Sequence, residues 1–312
     1  MDGFINLLKP PGPTSFQAVG AIKRITGAKK AGHTGTLDPG AAGVLPVCLG
    51  KATKLSGMLT QAKKRYRAEI TFGLITDTQD SYGKVLKRTK AQITKEEIEV
   101  LLKGFLGIGQ QVPPMYSAVK QGGRKLYQLA REGLEVERSP RDIEIYSLDL
   151  VEFFPPDRAI IDIECSKGTY IRTLCHDIGT QAGCGAIMSF LVRLSSGEFT
   201  LDNAVTLEEL ADAAKAYSLT QLVLPLDYPL QGMAKAEIRE DSLRFALNGN
   251  ILYPHNLVSG LTELGNGQQL RLYYRQNLLG LAVYNRDGQS PWIKMKCILT
   301  GARTPDHFNK QV

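Results

Sequence analysis

Gly32-His33-Thr34-Gly35-Thr36-Leu37-Asp38-Pro39-Gly40 sets one carboxylate, Asp38, in a loop punctuated by three glycines and followed at once by a proline. Glycine admits backbone angles that other residues avoid, and Pro39 fixes the chain just after the acid. Working outward, Val44-Leu45-Pro46-Val47-Cys48-Leu49 reads as an apolar strand closed by Gly50. An acid on a loop beside a packed strand is placed as an aimed catalytic group would be. The same residues satisfy a plainer reading, an Asx-type turn in which Asp38 bonds only its own backbone.

Composition narrows the classes. The 312 residues exceed one typical domain, so a large domain and a smaller one are expected. The formal net charge of +7 accords with a polyanionic partner. Five scattered cysteines (Cys48, Cys165, Cys175, Cys184, Cys297) form no C-x-x-C pair and read as small hydrophobes in a reducing compartment. The four histidines (His33, His176, His255, His307) are dispersed and form no H-E-x-x-H, so a metal site is not expected. Asp2 and the prolines at 10, 11 and 13 break any signal-peptide pattern, and no apolar run is long enough to span a membrane; the expected location is cytoplasmic.

Elsewhere the pattern alternates between periods. Phe4 to Leu8 reads as a strand, and Thr14 or Ser15 caps a helix with Phe16, Val19, Ile22 and Ile25 inward, ended by Gly27. Arg65 to Phe72 alternates, with Tyr66, Ala68, Ile70 and Phe72 on one face. Thr94 and Glu97 have capping-box spacing before Ile98, Leu101, Leu102 and Phe105. From Gln110 to about Arg141 the chain is polar, glycine-bearing and basic, with Tyr116 and Tyr127 interleaved and a short helical piece near 125–131. That length points to a functional loop suited to RNA. Strands resume at 142–154 and 158–165, and 170–182 reads as a helix with Ile171, Leu174, Cys175 and Ile178 inward. The mixture indicates an α/β or α+β domain. Leu224 to Pro229 reads as a boundary, followed by short β runs separated by Asn-Gly and Asp-Gly turns, the pattern of a small all-β module.

Several strings occur together, in order: His33-Thr34-Gly35-Thr36-Leu37-Asp38-Pro39 with Gly43-Val44-Leu45-Pro46-Val47, then Lys64-Arg65-Tyr66-Arg67-Ala68. Pro113-Pro114-Met115-Tyr116-Ser117-Ala118, Gly168-Thr169-Tyr170-Ile171-Arg172-Thr173 and Leu191-Val192-Arg193 complete the set. The set resembles the TruB family of tRNA pseudouridine synthases over nearly the whole chain, most weakly in the last fifth. Ala42 departs from the family's usual threonine, for which a local packing change is expected. The resemblance implies an α+β, mixed-sheet catalytic domain over 1–230, with a thumb insertion at about 110–141. It also implies a small β-rich, PUA-like RNA-binding domain over 231–312.

The implied reaction breaks the N1–C1′ bond of a uridine, rotates the base and joins C5 to C1′, needing neither metal nor cofactor. Asp38 would act at the sugar, by covalent attack or by removing a 2′ proton. Arg172, in the first turn of a helix where the macrodipole disfavours a cation, would hold Asp38 bidentately. Asp80 would take the guanidinium's other side or form a plain turn. Tyr66 would stack on the uracil or help remove the C5 proton, and Tyr170 and Leu191 match nucleotide-contacting positions of the family. His33 would assist base extrusion, and Lys9 and Arg193 would make phosphate or loop contacts. The implied substrate is the T-arm stem-loop of tRNA at uridine 55, modified by a monomer that needs no protein partner. Three rivals stand beside this reading, one of them a general RNA-binding adaptor, which would need no carboxylate in the glycine-rich loop. A guide-RNA-dependent synthase subunit lacks the thumb, and a tRNA-folding chaperone would need no Asp38, Tyr66 and Arg172.

Overall fold

The computed structural model describes residues 1–261, 264–288 and 290–300. His307 and the end of the 231–312 span lie outside the described residues. Strand β1 (Gly3–Lys9) leads through a proline turn into helix α1 (Ser15–Thr26). Thr14 caps α1 as half of a capping box with Gln17, and Gly27 closes it in the left-handed conformation. Phe16, expected inward, is 82% exposed. Residues three apart drift by about 60° per step round a helix. Val19 and Ile22 therefore share the buried face with Ser15 and Ala18, while Phe16 stands off it. With Pro13 and Arg24 it walls an open groove of about 670 Å³.

Next come β2 (Ala31–His33) and β3 (Ala42–Leu49), which flank the Asp38 loop, and a short helix α2 (Ser56–Leu59). β4 (Lys64–Phe72) alternates as expected, burying Ala68, Ile70 and Phe72. A hairpin of β5 (Leu74–Thr76) and β6 (Val85–Arg88) follows, carrying Asp80 at its turn. Helix α3 (Lys95–Lys103) has the Thr94–Glu97 capping box and buries Ile98 and Leu102; Phe105 falls beyond its end and packs from the connecting segment.

The basic segment begins in a strand, β7 (Gly107–Gln111). It continues as a small hairpin, β8 (Lys120–Gln121) with β9 (Arg124–Lys125), and a helix α4 (Leu126–Arg131). β10 (Arg141–Phe154), β11 (Arg158–Cys165), α5 (Ile171–Gln181), β12 (Ala186–Ser196), β13 (Phe199–Thr200) and α6 (Leu207–Lys215) complete the large unit. One nine-stranded sheet runs β1-β3-β12-β4-β11-β10-β7, with β2 on β3 and β13 on β12. Within this sheet only β3 and β12 pair in parallel, so it is mixed, as expected.

A six-stranded sheet follows, built from β14 (Ala234–Ile238), β15 (Ile251–Leu252), β16 (Leu257–Ser259), β17 (Gln269–Tyr274), β18 (Asn277–Asp287) and β19 (Ser290–Ile298). It is β-rich but not all-β: helix α7 (Leu243–Leu247) sits against it, because Leu243 and Ala246 complete its core. The two units share an apolar interface. Phe4, Val44, Cys48 and Leu55 of the first pack in one cluster with Leu281 and Leu299 of the second. β3 is thus buried on both faces, since Leu45, Val47 and Leu49 belong to the main core. All five cysteines are free; Cys48, Cys165 and Cys175 are buried and the other two half-buried. Among the described residues no helix is long and apolar enough to cross a membrane.

Candidate active site

The Asp38 loop is stitched down from four directions. The Ser15 hydroxyl donates to Leu37 O and accepts from Leu37 N, both at 2.9 Å. Gly12 N donates to Pro39 O at 2.8 Å. Lys9 points beneath the loop and donates to the carbonyls of Pro10, Pro39 and Ala41 at 2.9, 3.2 and 2.8 Å. Arg193 donates from Nε to Val44 O (2.7 Å) and from Nη2 to Gly35 O (3.2 Å). It can do so because β12 lies parallel to β3 with Arg193 opposite Gly43, where the Arg193 backbone leaves no room for a side chain. Lys9 and Arg193 are both buried, and both make contacts to the loop.

Held in this way, the Asp38 carboxylate turns to Arg172 instead of to its own turn. Arg172 Nε stands 2.9 Å from Asp38 Oδ2 and 3.8 Å from Asp80 Oδ2. The expected bidentate grip on Asp38 is not formed. The guanidinium's remaining nitrogens donate to backbone carbonyls, Nη1 to Thr78 at 3.2 Å and Nη2 to Tyr116 at 2.9 Å. Arg172 is 4% exposed and lies in the first turn of α5, so its charge is met by two carboxylates and two carbonyls instead of water. Asp80 is oriented independently, its Oδ1 accepting from Thr78 Oγ1 at 2.5 Å and Tyr82 N at 3.0 Å.

The other side chains surround this pair unequally. Tyr66 lies opposite Arg193 across β4 and β12, and burial pushes its phenol up while the Arg193 guanidinium opposes that rise. His33 accepts from Gly35 N at 3.3 Å; burial, and then Arg193, lower its imidazole below the ordinary value, leaving it neutral at pH 7. Burial brings Lys9 down to about 8, with Asp38 pulling the other way. Lys64, one strand over, is lowered to about 8 chiefly by burial and donates to the Thr60 and Ala62 carbonyls at 2.6 Å each. Arg193 is the buried cation common to these environments. Leu191 belongs to the main apolar core, and Tyr170 is the residue from which α5 starts.

Two features lay beyond sequence reading. Gln111, at the root of the basic segment, accepts from Tyr170 N (2.7 Å) and donates to Tyr170 O (3.0 Å), fixing the start of α5. Gln79 adopts φ +63°, and its side chain accepts from Thr173 Oγ1 at 2.8 Å, clamping the Asp80 turn to the helix that carries Arg172. Glutamine has no motif value, and only the fold brings these pairs together. Among the described residues no three His, Cys, Asp or Glu side chains gather as a metal site needs.

Comparison with known proteins agrees with this geometry. Residues 23–171 match the family model for the N-terminal domain of TruB family pseudouridylate synthases, and 172–231 match that for the tRNA pseudouridylate synthase B C-terminal domain. The tRNA pseudouridine synthase B of Alkaliphilus oremlandii is 45% identical over 300 residues, spanning 96% of this chain and 99% of that protein. That of Symbiobacterium thermophilum is 52% identical over 244 residues, 76% of this chain and 81% of its own. Among solved structures, one described as a Cbf5-Nop10-Gar1 complex superposes with a TM-score of 0.76 at 27% identity, covering 96% of this chain and 85% of the matched one. With a carboxylate and a buried guanidinium paired on the strings that carry the resemblance, and relatives matched over almost their full length, the chain belongs to the TruB family of pseudouridine synthases.

Proposed function

We propose that this enzyme isomerises uridine 55 in the T-arm loop of tRNA to pseudouridine, with Asp38 acting at C1′. The observation that carries the reading is the Asp38–Arg172 contact at 2.9 Å, inside a loop held by hydrogen bonds from β1, α1 and β12. A carboxylate so fixed is pre-oriented toward an electron-poor sugar carbon, by direct attack or by taking a 2′ proton. The N1–C1′ bond breaks, the uracil turns over, and C5 bonds to C1′. The proton on C5 leaves to water and N1 gains one, so the product is an isomer.

Tyr66 supplies a ring against the uracil. Its phenol is held up by burial and so stays protonated at pH 7, and the Arg193 guanidinium opposite is the group able to stabilise a transient phenolate during C5 deprotonation. Neutral His33 fits a role in occupying the space that the extruded base leaves, since a cation there would be desolvated. Tyr170 and Leu191 complete the nucleotide's surroundings, and Asp80 balances the charge of Arg172.

In this reading residues 1–230 form the catalytic domain and 231–312 a PUA-like RNA-binding domain. The basic segment 110–141 closes over the RNA. A single chain works alone, in the cytoplasm, where tRNA is modified. The presence of that segment supports a stand-alone enzyme over a guide-dependent subunit.

The test is tritium release from [5-³H]uridine-labelled T-arm stem-loop RNA. Release by the native protein and none by Asp38→Asn, with RNA binding retained by both, is the expected outcome. Binding without release by the native protein would leave a tRNA-folding chaperone as the better account.

A further inference from the structure

Tyr82 is 75% exposed, yet its ring is seated with care. Its backbone N–H donates to Asp80 Oδ1 at 3.0 Å, so it follows directly from the turn that faces Arg172. Its side chain crosses to the other acidic loop and lies on Gly40, two residues past Asp38. A Cβ placed on Gly40 would stand 2.6 Å from Tyr82 Cζ and 2.7 Å from Oη, well inside van der Waals contact. Gly40 does not have a left-handed φ, so no backbone strain calls for glycine there. What the missing side chain provides is room for the ring.

A ring held over one carboxylate's loop by the turn that carries the other occupies the rim of the site. A tyrosine so exposed contributes little to a core. An aromatic face open to water beside the Asp38–Arg172 pair has the geometry of a base-stacking platform. We infer that Tyr82, seated on Gly40, stacks on an unpaired base adjoining the target uridine and so positions the RNA strand at the rim. The inference rests on the reading that the site takes tRNA, and it assigns Tyr82 to substrate binding and not to bond making.

Steady-state tritium release from the T-arm stem-loop, together with thermal unfolding of each variant, tests it. Tyr82→Ala is expected to raise KM by about tenfold or more, in line with the loss of one base–aromatic stack. Its kcat should stay within about twofold and its melting temperature at the native value. Tyr82→Phe keeps the ring and is expected to retain the native KM. Gly40→Ala displaces the ring and should raise KM too, but should add nothing to KM in the Tyr82→Ala background. A native KM in Tyr82→Ala, a fall confined to kcat, or failure of Tyr82→Phe to preserve KM overturns the inference while leaving the synthase reading intact. Absence of release by the native protein overturns both.

Discussion

Replacing Arg172 with leucine withdraws one buried cation from four oxygens at once: Asp38 Oδ2, Asp80 Oδ2, Thr78 O and Tyr116 O. The two carbonyls lose their donors at roughly 1 kcal/mol each. Asp80, with 13% of its side chain exposed, loses its countercharge but keeps Thr78 Oγ1 and Tyr82 N, a loss of about 2–3 kcal/mol. Asp38, 40% exposed, rehydrates and adds little. The leucine returns about 1 kcal/mol of apolar burial. The expected destabilisation is therefore about 3–4 kcal/mol. At a urea dependence of about 3 kcal/mol per molar, the unfolding midpoint followed by circular dichroism at pH 7 should fall by roughly 1 M. Tritium release should drop by about two orders of magnitude or more, because the carboxylate loses its orienting partner. Arg172→Lys should recover part of the stability and little of the activity, since one ammonium cannot span the three segments that the guanidinium joins. A midpoint for Arg172→Leu within about 0.2 M of native, or full activity in a destabilised variant, would refute the argument.

Other consequences are as direct. Gly43→Ala drives a Cβ to 2.7 Å from Arg193 N at the parallel pairing of β3 and β12, and should cost about 2–3 kcal/mol, read as a lowered melting temperature. Lys64 has its folded pKa lowered from 10.5 to about 8, so the unfolded chain holds this proton longer, and the stability tied to the group rises as pH goes from about 8 to 10.5. The native protein should therefore gain urea resistance relative to Lys64→Met between pH 7.5 and 9.5; a constant difference would contradict the assignment. His33 should titrate below 6.5 in an NMR pH series, and its burial should erode stability as pH falls through 6.5, where the unfolded chain takes the proton that the fold resists. Affinity for the T-arm stem-loop should fall by about tenfold or more between 50 and 200 mM salt, as counterion release requires; a flat response would exclude a phosphate-tracking mode.

What the sequence discloses is local. The helix cap at Thr14, the capping box at Thr94, the alternation of β4 and the helix bearing Arg172 all rest on spacings of a few residues, and all formed close to where they were read. The Asp38 loop was legible through its glycines and proline, and the pairing with Arg172 through the family's strings. The hairpin of β5 and β6 left no periodic trace, because Val85 to Arg88 are all exposed and no buried face imposes alternation. Lys9 looks in sequence like a surface cation available to phosphate. The neighbours Phe4, Ile5 and Leu7 are fully buried, and the lysine follows them inward to find three carbonyls. Phe16 misled because a three-residue spacing resembles a helical stripe over two turns and departs from it over three. The oxygens of Thr78 and Tyr116 that complete the arginine's shell belong to the backbone, whose placement no residue type announces.

The place of β12 in the sheet bears on how the chain comes to be active as it is made. β3 and β4 follow one another in sequence but are not neighbours; β12, more than a hundred residues later, fills the gap between them. Until residues 186–196 have left the ribosome, the strand that bears Arg193 is missing from beneath the Asp38 loop, and the sheet is split at its centre. Arg172 likewise reaches partners 56 and 94 residues earlier in the chain. Contacts this distant close late and cooperatively. The Asp38 loop therefore gains its hydrogen bonds to Arg193 only after most of the large unit has been made.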